Sequence, residues 1–240
     1  MKQSVLNYAH RGASEYAPEN TALAFSLGIL QGANALETDV RRSSDGVLYL
    51  FHDPVLDRVT DGTGAVEGHT WAQLQDLRVR HPVTEVCDKI LSLEHFLQLY
   101  GWRNLHFAIE IKERGIARDV VQMLDQYQMC GKTTVTSGNL DILGQVKERN
   151  PAYRIGWLVR TPTEDELAQL IAMGGEQICP DVRQLTPALS QAWKKMGFEV
   201  RAWGCKTTEL MLRALECGVV GMTVNFPDKL TAYLQSHESV

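Results

Sequence analysis

Short apolar runs alternate with longer amphipathic segments along almost the whole chain, and this rhythm limits the possible folds more than any other feature. The spacing predicts strands at 5–9, 35–41, 47–51, 106–111, 133–137, 154–159, 177–180, 198–203 and 220–225. It predicts helices near 20–32, 92–100, 115–129, 139–149, 163–173, 187–196 and 207–217. Several of these open on a capping residue: Asn20 or Thr21, Ser92, Asn139, Thr163 and Thr186. A strand followed by a crossover helix returns the chain parallel to itself, and eight such units close a barrel. The 240 residues suit one such barrel and show no linker to a second large domain. The expected fold class is α/β: a single TIM-type (β/α)8 barrel over residues 1–240, with an insertion at about 54–105.

Nine strand candidates must fit eight barrel positions. Arg42-Ser43-Ser44-Asp45-Gly46 is too short for a helical crossover, and Asp45-Gly46 is a hairpin signal. We therefore expect 37–44 and 47–52 to form a ribbon above the barrel. A two-residue loop at Asp45-Gly46 would pair positions summing to about 91, setting His52 opposite Asp39. Residues 54–105 lose the barrel rhythm and crowd Gly62, Gly64 and Gly68, which marks the insertion at the strand-end face, closed by the helix at 92–100.

Net charge of −5 and a pI near 5.8 argue against a general nucleic-acid binder, because phosphate backbones reward clustered Lys and Arg. An acidic chain still binds a small phosphate if a cation and a few basic groups meet locally. Cys87, Cys130, Cys179, Cys205 and Cys217 are scattered, odd in number and without a C-x-x-C, which suits a reducing compartment. Met1–Asn7 has no apolar core of a leader, and no stretch reaches the ~18 apolar residues of a membrane span. The expected setting is cytoplasmic, without stable membrane insertion.

Four clusters fall at strand ends, where barrel active sites are built. His10-Arg11-Gly12 closes the first strand and brings together a proton carrier, a cation and flexible backbone; a solvated rim would also accommodate them. Glu37-x-Asp39 puts two carboxylates on one face of an apolar strand. Such a pair suits Mg²⁺ or Ca²⁺, or else a face turned to solvent. Glu110-Ile111-Lys112 repeats the pattern: Glu110 completes a metal shell while Lys112 reaches phosphate, or the two form a buried ion pair. His52-Asp53 supplies a second imidazole, as cleavage of a phosphodiester by one base and one acid requires.

In order, His10-Arg11-Gly12, Pro18-Glu19-Asn20-Thr21, Glu37-x-Asp39, Asp45-Gly46, His52-Asp53, Leu56-x-Arg58-x-Thr60-Asp61-Gly62-x-Gly64 and Glu110-Ile111-Lys112 resemble the signature of glycerophosphodiester phosphodiesterases. The resemblance is dense over the first quarter of the chain. It implies a barrel enzyme that uses a divalent cation, Mg²⁺ or Ca²⁺, to hydrolyse a small-molecule glycerophosphodiester to glycerol 3-phosphate and an alcohol. It implies Glu37, Asp39 and Glu110 as metal ligands, His10 and His52 as the acid–base pair, and Arg11 and Lys112 as phosphate contacts. Pro18-Glu19-Asn20-Thr21 is expected to shape the start of the first helix rather than touch substrate.

The C-terminal half departs from that signature at Ser137-Gly138, Trp203-Gly204-Cys205-Lys206 and Val224-Asn225-Phe226-Pro227, where Asn225 stands in place of Asp. These changes bear on substrate choice more than on chemistry. Trp203 is a candidate wall of the substrate pocket, or filling for the barrel core. Two other readings of the same rim are a phosphodiesterase acting on lysophospholipids and a non-catalytic barrel that only binds phosphoesters. His69, His81, His95, His106 and His237 lack partner spacing and read as structural or surface residues.

Overall fold

Alternation along each predicted strand decides which side chains meet the helices and which meet the barrel axis. In the computed structural model, which describes residues 5–237, the strands are β1 (Leu6–His10), β2 (Ala35–Arg42), β3 (Leu48–Leu50), β4 (Arg78–Arg80), β5 (Cys87–Lys89), β6 (His106–Ile111), β7 (Thr133–Ser137), β8 (Arg154–Val159), β9 (Gln177–Pro180), β10 (Glu199–Cys205) and β11 (Gly221–Val224). Met1–Ser4 lie outside the described residues, so only part of the segment read for a leader is seen. The helices are α1 (Ala22–Leu30), α2 (Trp71–Asp76), α3 (Leu93–Tyr100), α4 (Ala117–Gln126), α5 (Leu140–Arg149), α6 (Glu164–Ala172), α7 (Pro187–Lys195), α8 (Thr208–Glu216) and α9 (Pro227–His237). None is long and apolar enough to cross a membrane.

β1, β2 and β6 to β11 pair in parallel, and β1 bonds to both β2 and β11, closing the sheet into a (β/α)8 barrel. Leu36 and Val40 of β2 and Ile109 and Ile111 of β6 join the apolar layer under the helices. Glu37, Asp39 and Glu110 are thereby turned to the axis. β2 and β6 pair with Asp39 level with Glu110, which fixes the separation of their carboxylates. The expected caps are formed: Thr21, Ser92, Asn139, Thr163 and Thr186 each accept from a backbone N–H of the first turn. Two helices had no clear periodic signal. α2 buries only Leu74 and α9 only Pro227 and Leu230, too little for an apolar stripe.

The β2–β3 ribbon is present, but its register differs from the expected one. Val40 faces Leu50, Arg41 faces Tyr49 and Arg42 faces Leu48. Gly46 N–H donates to Ser43 O, Ser43 N–H donates to Val47 O, and Gly46 alone of the loop has positive φ, at 93°. This is a three-residue loop, a type I turn followed by a left-handed glycine, and it moves the pairing by one residue. Phe51 rather than His52 consequently bonds to the Asp39 carbonyl. His52 lies just beyond the strand, free of the pleat.

After β3 the chain makes the insertion, with its own apolar cluster that includes Phe51, Leu56, Val66, Leu74 and Val79, and the antiparallel pair β4–β5. α3 belongs elsewhere. Phe96 packs on Phe25 with ring centroids 4.7 Å apart and joins the main core, so α3 covers the barrel instead of closing the insertion.

β1 meets α1 through Gly12, whose φ is 84° and whose added Cβ would lie 2.4 Å from the Ala24 carbonyl carbon. Gly12→Ala should cost about 3 kcal/mol through backbone strain and overpacking. Urea unfolding of the variant checks this, and an unshifted midpoint would contradict it.

Candidate active site

Carboxylates that repel one another in a low-dielectric interior stay together only if cations and hydrogen bonds answer them. Oxygen atoms of Glu37, Asp39 and Glu110 all lie within 4.8 Å of one another at the strand-end mouth, and Asp39 is fully buried. Arg11 Nε is 3.0 Å from Asp39 Oδ2, which also accepts from Asn20 Nδ2 at 3.0 Å. Lys112 Nζ is 2.7 Å from Glu110 Oε1 and 3.6 Å from Asp39 Oδ1. The Arg11 amide donates to Glu37 Oε2 at 3.1 Å. Burial would raise the Asp39 carboxyl, but Arg11 and Lys112 outweigh it and hold the group below the usual carboxylate range. For Glu37 the balance reverses: burial and the Asp39 charge push it up to about 8, and the same two causes raise Glu110.

Two imidazoles border this cluster with different supports. His10 Nδ1 lies 2.7 Å from the Asn225 amide oxygen, and its Nε2 lies 4.0 Å from Glu37 Oε2. Burial, then the Arg11 charge, lower His10 to about 3. His52 Nδ1 lies 2.5 Å from Asp53 Oδ1, and Arg58 grips the other Asp53 oxygen. Burial lowers His52 too, although the Asp39 and Asp53 carboxylates oppose the shift. His10, Arg11, Glu37, His52, Glu110, Lys112 and Trp203 all line one cavity of about 350 Å³, and buried Asp39 contacts Arg11 and Lys112 of that lining, so the structure brings the expected site residues together. Trp203 borders that cavity instead of filling the core, with the Arg160 guanidinium 6.0 Å from its ring centre.

Several contributing residues were not singled out from the sequence. Asn20, with φ of 59°, accepts from Thr38 Oγ1 while donating to Asp39, and Glu19 bonds to both Arg11 and Arg58. The Pro18-Glu19-Asn20-Thr21 run thus does more than start α1, although Thr21 does cap it. A polar pair directly before the Thr cap was the available signal. His81, in contrast, has the structural role expected: buried, it accepts from the Val83 and Thr84 amides.

A closed barrel with an acidic cluster, two supported histidines and basic groups at its strand-end mouth defines a barrel enzyme of the phosphodiesterase class. Residues 10–229 match the model of the glycerophosphoryl diester phosphodiesterase family. The chain belongs to that family. It is 28% identical over 229 residues to a glycerophosphodiester phosphodiesterase of Caldanaerobacter subterraneus subsp. tengcongensis, covering 92% of this chain and 94% of the relative. A phosphodiesterase of Oleispira antarctica, solved with its product sn-glycerol 3-phosphate, superposes with a TM-score of 0.86 at 23% identity, covering 95% of this chain and 96% of that one. The glycerophosphodiester phosphodiesterase of Thermotoga maritima gives 0.79 at 22%, covering 96% and 98%.

Asn20→Ala removes a hydrogen bond to an ionised, buried carboxylate and leaves the Thr38 hydroxyl without its acceptor. We expect a loss of about 2 kcal/mol in chemical unfolding. Wild-type stability in this variant would show that Asn20 does not support the cluster.

Proposed function

We propose that this chain hydrolyses glycerophosphodiesters to glycerol 3-phosphate and an alcohol, working as one barrel unit whose insertion braces the site. The observation that carries the reading is the meeting of Glu37, Asp39 and Glu110 between two histidines with different hydrogen-bond partners. Family membership supports the substrate class.

The acidic cluster fits a divalent cation. Its donors are all carboxylate oxygens, the chemistry preferred by Mg²⁺ and Ca²⁺, and buried Asp39 Oδ1 has no hydrogen-bond partner. Glu37, Asp39 and Glu110 would hold the ion, which when bound supplies Lewis-acid stabilisation of charge on a phosphate oxygen. Arg11 and Lys112, already beside these carboxylates, are positioned to take another non-bridging oxygen. Trp203 walls the pocket and excludes water from one side.

The supports of the histidines suggest a division of labour. The Asn225 amide oxygen accepts a hydrogen from His10 Nδ1, which leaves the Nε2 lone pair facing the cluster. His10 in this tautomer serves as general base toward the attacking hydroxyl. His52 has a carboxylate behind it, which offsets part of the lowering by burial and suits it better than His10 to be the general acid for the departing alkoxide.

His52→Ala should lower kcat by about 10²–10⁴ with an unchanged circular-dichroism spectrum; full activity would remove His52 from the acid–base pair. Glycerol 3-phosphate release should stop in EDTA and return with Mg²⁺ or Ca²⁺. Because Glu37 is pushed up to about 8 in the metal-free site, it holds a proton at pH 7 that a cation must displace. Cation affinity should therefore rise with pH up to about 8, with proton release visible as buffer-dependent enthalpy in titration calorimetry. Buffer-independent enthalpy would place Glu37 outside the ligand set.

A further inference from the structure

The cavity that holds the carboxylates has a second wall of opposite character. Val200 and Ala202 of β10 join the apolar layer under the helices, so Arg201 and Trp203 face the axis. Arg201 is 1% exposed, yet it has no carboxylate ion-pair partner among the described residues. Its Nε donates to Gln177 Oε1 at 2.9 Å, its Nη2 lies 3.5 Å from the Cys179 sulfur, and its guanidinium sits 5.0 Å from the centre of the Tyr8 ring. The remaining nitrogen, Nη1, has no partner. Two further buried polar atoms of the same cavity wall, Trp203 Nε1 and Thr223 Oγ1, also lack one. Above them Arg160 and Lys206 line the cavity, and neither is held in an ion pair among the described residues.

A buried guanidinium with only neutral partners is costly, and a barrel interior built for stability alone would be filled with apolar side chains. Three unsatisfied polar groups on one wall, two of them donors and the third a hydroxyl, call for a ligand rich in acceptor oxygens. The surrounding positive charge calls for that ligand to be anionic. A cationic head group fits badly, because Trp203, the one Trp, Tyr or Phe lining the cavity among the described residues, already has Arg160 over its ring.

We propose that Arg201, Trp203 and Thr223, with Arg160 and Lys206 above them, form a subsite for a negatively charged oxygen group on the substrate's alcohol, a carboxylate or a second phosphate. The proposal rests on the phosphodiesterase reading and narrows its substrate class to diesters with an acidic alcohol. The subsite and the carboxylate cluster share one cavity, so a single substrate spans both. The cluster side serves the scissile phosphate and the cationic side reads the alcohol.

Matched substrates isolate the charge. Glycerophosphoserine differs from glycerophosphoethanolamine by one carboxylate, and glycerophosphoglycerol phosphate differs from glycerophosphoglycerol by one phosphate. With the full chain and Mg²⁺, kcat/KM should favour the anion-bearing member by about tenfold in at least one pair, as for one hydrogen bond to a charged group. The pair that shows the preference names the anion. Arg201→Met should bring that ratio toward one. If that variant does not fold, the double variant Arg160→Gln, Lys206→Gln, altered only at exposed positions, makes the same test. Equal rates within both pairs, or a ratio unchanged in the double variant, would overturn the subsite and leave the phosphodiesterase reading standing. Hydrolysis of none of the four would overturn both.

Discussion

Three acidic side chains forced into one low-dielectric pocket are the constraint to which the strand-end half of this barrel responds. Glu19, Glu37, Asp39, Asp53 and Glu110 face Arg11, Arg58 and Lys112, so five carboxylates meet three contacting cations. The excess of two negative charges equals the charge of one divalent ion. In the metal-free chain, burial and the Asp39 charge push the Glu37 carboxyl upward, so a proton there offsets one of the two, while Arg11 and Lys112 hold Asp39 low. Geometry enforces the distinction. Parallel pairing sets Asp39 level with Glu110, and Glu37 one pleat deeper.

The same ion-pair chain explains the insertion. Arg58 reaches back from it to Glu19 and Asp53, Glu19 bonds to Arg11, and Arg11 reaches Asp39. A small unit with its own apolar cluster is thereby fastened to the clustered carboxylates through a chain of side chains. His52, lying at the junction and outside the regular ladder, takes its orientation from Asp53 and not from the strand. The Arg11 links are largely buried and so more costly to break singly than a surface ion pair, whereas Arg58 makes its links from an exposed position.

Much of this was legible before any coordinates. Barrel strands show period-two alternation, and acids interrupting an otherwise apolar strand, as at Glu37, Asp39 and Glu110, stand out because burial makes them expensive. What failed to show was determined by long-range partners. The ribbon register depended on whether Asp45 would share the positive φ of Gly46, and the loop settled it by giving positive φ to the glycine alone. Asn20 stands out in the sequence only as half of a polar pair before the Thr21 cap, and its partner Asp39 is visible only in the fold. Arg201 lies in an ordinary strand pattern, and the absence of a counter-charge is a property of its neighbours Gln177, Cys179 and Tyr8.

Net charge is a poor guide to what such a pocket binds. The chain is acidic overall, at −5, yet one wall of the cavity at the strand-end mouth gathers Arg160, Arg201 and Lys206 without ion-paired carboxylates among the described residues. Field inside a low-dielectric cleft is set by the few charges that line it, because distant surface charges are screened within about 8–10 Å at ordinary ionic strength. The barrel makes this separation possible. β2 and β6 deliver acids to the mouth, β10 delivers a buried arginine from elsewhere in the ring, and the closed strand pairing fixes the positions from which the two sets project. A diester lying across the axis would meet the cation-binding carboxylates at one end and the arginine at the other, which would orient it before any proton moves.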